Sequence, residues 1–148
     1  MAVARDAADA DMAAALKVIE EALGGETEDR LTYDYLIKTA PAQEDKDIIK
    51  GISADEFSHH SMFRQMYFDL TGRMPQASET ERSRQPRTYC EGLKNAIIGE
   101  QNAVKKYRRI LAAMTDRKHI NTMTDIITDE LRHGILYNYL YTKNGCNV

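Results

Sequence analysis

The sequence DEFSH at residues 55–59 and the sequence DELRH at residues 129–133 decide how this chain folds. Both follow the pattern Asp-Glu-x-x-His, and they lie 74 positions apart, which is half of the 148-residue chain. A Glu and a His three residues apart share one face of a helix, so each pair can bind one metal ion. Two copies at this spacing indicate an internal repeat.

The same offset relates residues outside these two segments. Further pairs that it superimposes are Gly25 and Gly99, Glu26 and Glu100, Tyr33 and Tyr107, and Ile52 and Ile126. The repeated unit thus starts at a Glu, reaches a Tyr seven residues later and ends in Glu-x-x-His, whose Glu is 30 residues after the first. Two copies of one helical hairpin explain this repeat.

Long helices are predicted between the three prolines, because apolar residues recur there at helical spacing. Asp11 can cap the first helix. The expected helices cover residues 12–40, 42–70, 87–114 and 116–142. The polar segment 73–86 is a linker between halves 12–72 and 87–144. Extended at ~3.3 Å per residue, it can run the length of a bundle. The prediction is one all-α domain, residues 1–148, folded as a four-helix bundle with a long crossover.

Four carboxylates are expected at one level of the bundle. Glu26 and Glu100 are flanked by apolar residues at helical spacing and should point inward, level with Glu56 and Glu130. Four buried charges are unfavourable unless they are compensated, and two divalent cations balance them while the imidazoles stay neutral. The predicted ligands are Glu26, Glu56, His59, Glu100, Glu130 and His133.

Residues around these ligands are candidates for supporting roles. Asp55 and Asp129 can accept the second ring proton of a ligating His across the bundle, and Arg132 can pair with one of them. Tyr33 and Tyr107 lie two turns after a predicted ligand, where a hydroxyl can either donate to a ligand carboxylate or simply pack in the core.

Other residues are expected to be uninvolved in the metal site. His60 and His119 are predicted on the surface, and Cys90 is predicted to be a buried thiol. The tyrosines near the C-terminus cover more than one helix face, so some of them can line a homodimer surface: Tyr137, Tyr139 and Tyr141.

With these residues the chain resembles the ferritin-like di-iron carboxylate proteins over residues 12–142. Within that group it is most similar to rubrerythrin-type proteins that lack the rubredoxin module, since neither of its two cysteines lies in a CxxC pair. Many rubrerythrins carry a further Glu where this chain has Ala103. The resemblance implies two irons bridged by Glu56 and Glu130, with the other four predicted ligands terminal.

The resemblance also implies a function. Two iron ions, cycling between Fe2+ and Fe3+, would react with hydrogen peroxide or dioxygen, and an external electron donor such as a rubredoxin-like protein would reduce them again. Manganese or zinc can replace iron in such a ligand set. Two alternatives stay open, namely a ferroxidase that handles iron and a non-catalytic helical bundle that serves as an interaction module.

Composition narrows the choice of partners. Apolar residues make up 43% and charged residues 29%, which is typical of a folded globular protein. A net charge of −3 gives no excess of basic residues for nucleic acid. No apolar run is long enough to span a membrane, and the N-terminus lacks the apolar segment of a signal peptide. We therefore expect a cytoplasmic protein without nucleic-acid or membrane partners.

Overall fold

The computed structural model describes residues 2–76 and 84–148, and the regular structure in these ranges is entirely helical. Five helices follow one another: α1 (Ala2–Gly24), α2 (Glu26–Thr39), α3 (Gln43–Thr71), α4 (Tyr89–Ala113) and α5 (Arg117–Lys143). This confirms the all-α prediction for the described part of the chain. Within it, no helix combines the length and the apolar character needed to cross a membrane.

Three helix ends lie where the sequence predicts them. Ala40, which precedes Pro41, has a ψ of 129° and ends α2, as expected for a residue before proline. Gly72 follows α3 with a φ of 68°, the left-handed conformation that glycine adopts without strain. Asp116 caps α5 by accepting a 2.7 Å hydrogen bond from the backbone N–H of Lys118.

The first expected helix differs from the structure at both its start and its middle. Asp11 does not cap it, because the alanine-rich segment before Asp11 is already helical from Ala2. The helix is also divided in two, with Gly25 forming the turn between α1 and α2. Gly24 and Gly25 are consecutive, and glycine is the least favourable helix former after proline, so the interruption falls there.

The packing leaves a middle layer between two apolar clusters. One cluster is built from α1, α3, α4 and α5 around Phe63, Ile110 and Ile126. The other is built from α2, α3, α4 and α5 around Leu36 and Tyr137. Along α3, α4 and α5, five buried residues lie between these two clusters: Glu56, His59, Glu100, Glu130 and His133. The candidate site is therefore enclosed above and below by apolar core.

The two cysteines form a disulfide, with Cα atoms 5.4 Å apart. The prediction that Cys90 is a free buried thiol is therefore wrong. The chain after α5 turns back at Gly145, which has a φ of 64°, and this places Cys146 beside the first turn of α4. Of the predicted linker 73–86, residues 77–83 lie outside the described part, and 73–76 and 84–86 are not helical.

Candidate metal centre

Three helices bring carboxylates and an imidazole to one point in the middle layer. Glu56 of α3, Glu100 of α4, and Glu130 and His133 of α5 each offer one ligand atom, and these atoms all lie within 4.8 Å of one another. All four side chains are buried. Buried groups of this kind are normally paired or coordinate a metal, so the cluster is a candidate metal centre.

The second histidine joins this cluster from α3. His59 Nδ1 lies 3.0 Å from Glu130 Oε1 and 3.7 Å from Glu56 Oε2. His133 Nδ1 lies 3.1 Å from Glu56 Oε1. The two imidazole rings face each other, with centroids 6.0 Å apart and an interplanar angle of 28°. Each histidine thus turns Nδ1 toward the carboxylates.

The other ring nitrogen of each histidine is held by an aspartate from another helix. His59 Nε2 donates to Asp129 Oδ2 at 3.0 Å, and His133 Nε2 donates to Asp55 Oδ2 at 3.0 Å. Arg132 donates to Asp55 Oδ2 at 2.6 Å and to Asp129 Oδ1 at 3.0 Å. A proton held on Nε2 leaves the lone pair of Nδ1 free for a cation.

Burial and mutual repulsion set the protonation of the cluster. Burial raises the pKa of Glu100, and the charges of Glu130 and Glu56 raise it further, to about 11. Burial also raises the pKa of Glu56, but the two histidines outweigh this effect and lower it to about 2. Burial lowers the pKa of His59, yet the carboxylates of Glu130, Glu56 and Asp129 raise it to about 10. In the absence of metal, bound protons thus neutralise part of the negative charge of the cluster. A bound cation can neutralise this charge instead.

Two buried atoms of the cluster test whether its residues fit a metal. His59 Nδ1 and Glu130 Oε1 are 3.0 Å apart, but not in hydrogen-bond geometry, and neither atom has another hydrogen-bond partner in the described part of the chain. Unpaired buried polar atoms are rare in proteins. Two such atoms turned toward the same space are expected when both bind one cation, and carboxylate and imidazole groups suit iron, manganese or zinc. The residues therefore fit a metal centre.

Glu26 is the one predicted ligand that the structure does not bring into the cluster. Its carboxylate forms an ion pair with Arg64 of α3 and lies 3.9 Å from His60 Nδ1. The physical reason is the break at Gly25, which makes Glu26 the first residue of α2. Glu26 nevertheless lines a pocket of about 190 Å³ together with Glu56.

The two histidines predicted on the surface are buried instead. His60 is covered by α2, where its Nε2 lies 3.6 Å from the carboxylate of Asp29. His119 Nε2 lies 3.1 Å from the carboxylate of Asp69 on α3. Sequence spacing placed His60 on a different face of α3 from His59, but it did not show that α2 covers that face.

Asp29 and Tyr137 border the site and were not among the predicted site residues. Asp29 lines a second pocket of about 290 Å³, and its charge contributes to the raised pKa of Glu100. The repeat gives no signal for Asp29, because the offset of 74 relates it to Ala103. Tyr137 lines the same pocket and is fully buried, so it cannot line a dimer surface.

The pocket also contains both tyrosines that the sequence singled out. Tyr33 and Tyr107 line it together with Tyr137 and the glutamates of the cluster. Burial raises the pKa of all three hydroxyls well above the usual value, and the charges of the nearby carboxylates add to this effect. The three hydroxyls therefore stay protonated and can act as hydrogen-bond donors beside the cluster.

Comparison with known proteins gives matches to a family and to a solved structure. The rubrerythrin family model matches residues 17–141. A crystal structure of a ferritin-like, diiron-carboxylate protein from Bacillus anthracis str. Ames superimposes with a TM-score of 0.71 and 20% sequence identity, covering 88% of this chain and 97% of the other. This likeness shows a ferritin-like fold. A search of curated proteins gave no match.

Proposed function

The chain belongs to the rubrerythrin family, and from this premise we propose that it is a di-iron oxidoreductase that reduces hydrogen peroxide with electrons from an external donor. The observation that carries the proposal is the centre itself. The Nδ1 atoms of two histidines face three buried glutamates. The Nε2 atom of each histidine donates a hydrogen bond to an aspartate on another helix. This arrangement supports metal-based chemistry beside a pocket.

We take α1 and α2 together as the first arm of a ferritin-like four-helix bundle, interrupted at Gly25, with α3, α4 and α5 as the other arms. The repeat at an offset of 74 then relates two hairpins, and the cluster lies where the hairpins meet. Neither hairpin alone has enough ligands for two metal ions.

The ligand set proposed for two iron ions has six members. Five of them would be Glu56, His59, Glu100, Glu130 and His133, which already lie together. Glu26 would be the sixth, which requires its carboxylate to exchange Arg64 for the metal. Manganese or zinc would suit the same oxygen and nitrogen ligands.

The surrounding residues would orient the ligands and donate hydrogen bonds to them. Two ferrous ions would provide the two electrons that convert hydrogen peroxide and two protons into two water molecules. Asp55 and Asp129 fix the orientation of the imidazoles, and Arg132 fixes the two aspartates. Tyr33 and Tyr107 would donate hydrogen bonds to the ligand carboxylates, because both hydroxyls stay protonated in the same pocket.

Metal analysis of protein purified without chelator tests the centre. We expect about two iron ions per chain, from the number of ligands. The double substitution Glu56→Ala and Glu130→Ala should remove most of the metal, whereas Asp125→Ala, at an exposed position of α5, should leave it unchanged. Metal-free wild-type protein would instead support the interaction module without catalysis.

Rapid mixing tests the reaction. The reduced, iron-loaded protein is mixed anaerobically with hydrogen peroxide and, separately, with dioxygen, and the oxidation of iron is followed by absorbance. Faster oxidation by peroxide supports the proposed peroxide reduction. Faster oxidation by dioxygen, with uptake of further iron, would identify a ferroxidase instead.

A further inference from the structure

The hydroxyl group of Tyr137 stands out in the pocket because no residue in the described part of the chain binds it. The side chain is fully buried, and the hydroxyl has no hydrogen-bond partner among the described residues. A buried hydroxyl without a partner destabilises a protein. Its presence therefore indicates a partner that the described residues do not supply.

The position of Tyr137 places it beside the candidate metal centre. It lies on α5 four residues after His133, so the two side chains share one face of the helix. It lines the pocket of about 290 Å³ together with Glu100, Glu56 and Glu130. Burial and the charges of Glu100 and Glu56 raise the pKa of its hydroxyl well above the usual value. The group is thus a permanent donor.

The internal repeat shows that packing alone does not require this hydroxyl. The offset of 74 relates Tyr137 to Phe63, which is also buried in the core. The ring of Phe63 packs edge-on against Tyr107, with centroids 5.1 Å apart. The equivalent position therefore holds Phe63, without a hydroxyl, in the first half of the repeat, and Tyr137, with a hydroxyl, in the second half. The donor is present on one side of the centre.

We propose that the hydroxyl of Tyr137 binds the small oxygen-containing substrate in the pocket by donating a hydrogen bond to one of its oxygen atoms. This role rests on the proposed function and adds to it a residue that contacts substrate. Since Phe63 offers no donor in the other half, the substrate has one preferred orientation. A pocket of this size holds a peroxide molecule with several waters, each of which occupies about 30 Å³.

Azide is a suitable probe, because it is a small anion that accepts hydrogen bonds and can be titrated by absorbance. We compare azide dissociation constants of iron-loaded wild-type protein, Tyr137→Phe and Tyr139→Phe. Tyr139 is the matched control, since its hydroxyl is exposed and donates to Glu44. Loss of a hydrogen bond to a charged group should weaken azide binding about tenfold or more in Tyr137→Phe, and Tyr139→Phe should equal wild type.

Two further measurements separate this role from a structural one. The iron content of Tyr137→Phe should equal that of wild type, and its metal-free form should melt at the same temperature or higher, because an unpaired hydroxyl is removed. Unchanged azide affinity, a clearly lower melting temperature or lost iron would each overturn the role of Tyr137. Wild-type protein that retains no iron would overturn the proposed function, and with it this role.

Discussion

At the scale of single residues, the two histidines are held by crossed contacts. His59 of α3 donates to Asp129 of α5, and His133 of α5 donates to Asp55 of α3. Each aspartate directly precedes a glutamate of the cluster in sequence, so one short segment supplies both a candidate ligand and the group that orients the opposite ligand. Such outer contacts tune a metal site nearly as strongly as the ligands themselves.

Replacing Asp55 by alanine should therefore weaken metal binding. His133 would lose the acceptor for its Nε2 proton, and the imidazole would no longer be fixed in one tautomer. We expect the metal affinity to fall about 10-fold to 100-fold, measured by competition with a chelator. Asp125→Ala is the control, because Asp125 is exposed on α5. Equal affinities for the two variants would contradict the role of Asp55.

Glu26 gives a second prediction at this scale, because its carboxylate has two possible partners. In the structure it pairs with Arg64, and as a proposed ligand it must release that guanidinium. We expect Glu26→Gln to retain about one metal ion per chain instead of about two, because one ion keeps its complete ligand set. Metal analysis after desalting measures this.

The partner of Glu26 provides the control. Arg64→Met removes the competing cation and leaves the carboxylate, so metal binding should become tighter rather than weaker. If Glu26→Gln keeps two ions, and Arg64→Met leaves the affinity unchanged, then Glu26 belongs to the ion pair alone and the proposed ligand set has five members.

The repeat explains which parts of the site sequence reasoning can find. Side chains three residues apart on one helix share a face in any helix, so Glu56 with His59 and Glu130 with His133 could be paired without a structure. The surroundings of Tyr137 could not be found this way. The spacing of four residues from His133 places Tyr137 on the same face of α5, unlike the exposed Tyr139, but the pocket around it depends on how α5 meets α2 and α4.

At the scale of helices, close approach of α2 and α4 depends on Gly92. A Cβ atom at Gly92 would lie 2.7 Å from Leu36 Cδ2 and 3.5 Å from Pro86 Cγ. Leu36 is fully buried, so its side chain has little room to move. The absence of a side chain at Gly92 therefore lets α4 pack against the helix that carries Glu26 and Tyr33.

Alanine substitutions at two glycines should have opposite effects. Gly92→Ala crowds Leu36 and should lower the free energy of unfolding by about 1–3 kcal/mol. Gly51→Ala, at an exposed position within α3 with no atom within 4 Å of the added carbon, should raise it by about 0.5–1 kcal/mol. Urea denaturation measures both. Equal shifts would mean that the contact with Leu36 relaxes without cost.

Helix ends were predictable where one residue type determines the backbone. Proline at position 41, Gly72 and Asp116 each act through local sterics or a single hydrogen bond. The break at Gly25 was not predicted, because apolar periodicity continues through it and glycine is tolerated inside helices. Whether a pair of glycines interrupts a helix depends on packing, which one sequence does not specify.

At the scale of the whole molecule, the disulfide between Cys90 and Cys146 ties the segment after α5 to the start of α4 across 56 residues. No CxxC spacing marks this pair, so only the folded positions of the two cysteines reveal it. Cross-links over loops of this size stabilise a protein mainly by restricting the unfolded chain.

Removing the disulfide should lower the stability of the molecule without emptying its metal centre. Cys90→Ser with Cys146→Ser should reduce the free energy of unfolding by roughly 2–4 kcal/mol, measured by urea denaturation. The metal content should stay unchanged, because the cluster uses neither cysteine. Loss of metal in the variant would show that the cross-link also positions Glu100 on α4.

The charge of the buried centre couples the stability of the molecule to pH. Glu100 has a pKa of about 11 in the fold against a usual value of 4.5, so without metal the folded state holds a proton that the unfolded state releases. The pKa of His59 is about 10 in the fold against a usual value of 6.5, so this residue also makes the fold less stable as pH rises. The pKa of Glu56 is lowered to about 2, so its contribution to stability is complete above its usual pKa of 4.5 and is lost as pH falls toward 2. Metal-free protein should therefore gain stability from pH 2 to about 4.5 and lose it as pH rises toward 10.

Bound metal should cancel the loss of stability at higher pH. A cation binds the deprotonated glutamates and the neutral imidazoles, so the stabilisation that it provides grows as pH rises. We expect melting temperatures of chelator-treated protein to fall from about pH 5 to pH 9, and those of reloaded protein to stay level. Glu100→Gln, which removes the largest shift, should flatten the metal-free curve. Parallel curves with and without metal would mean that the cluster does not exchange protons for a cation.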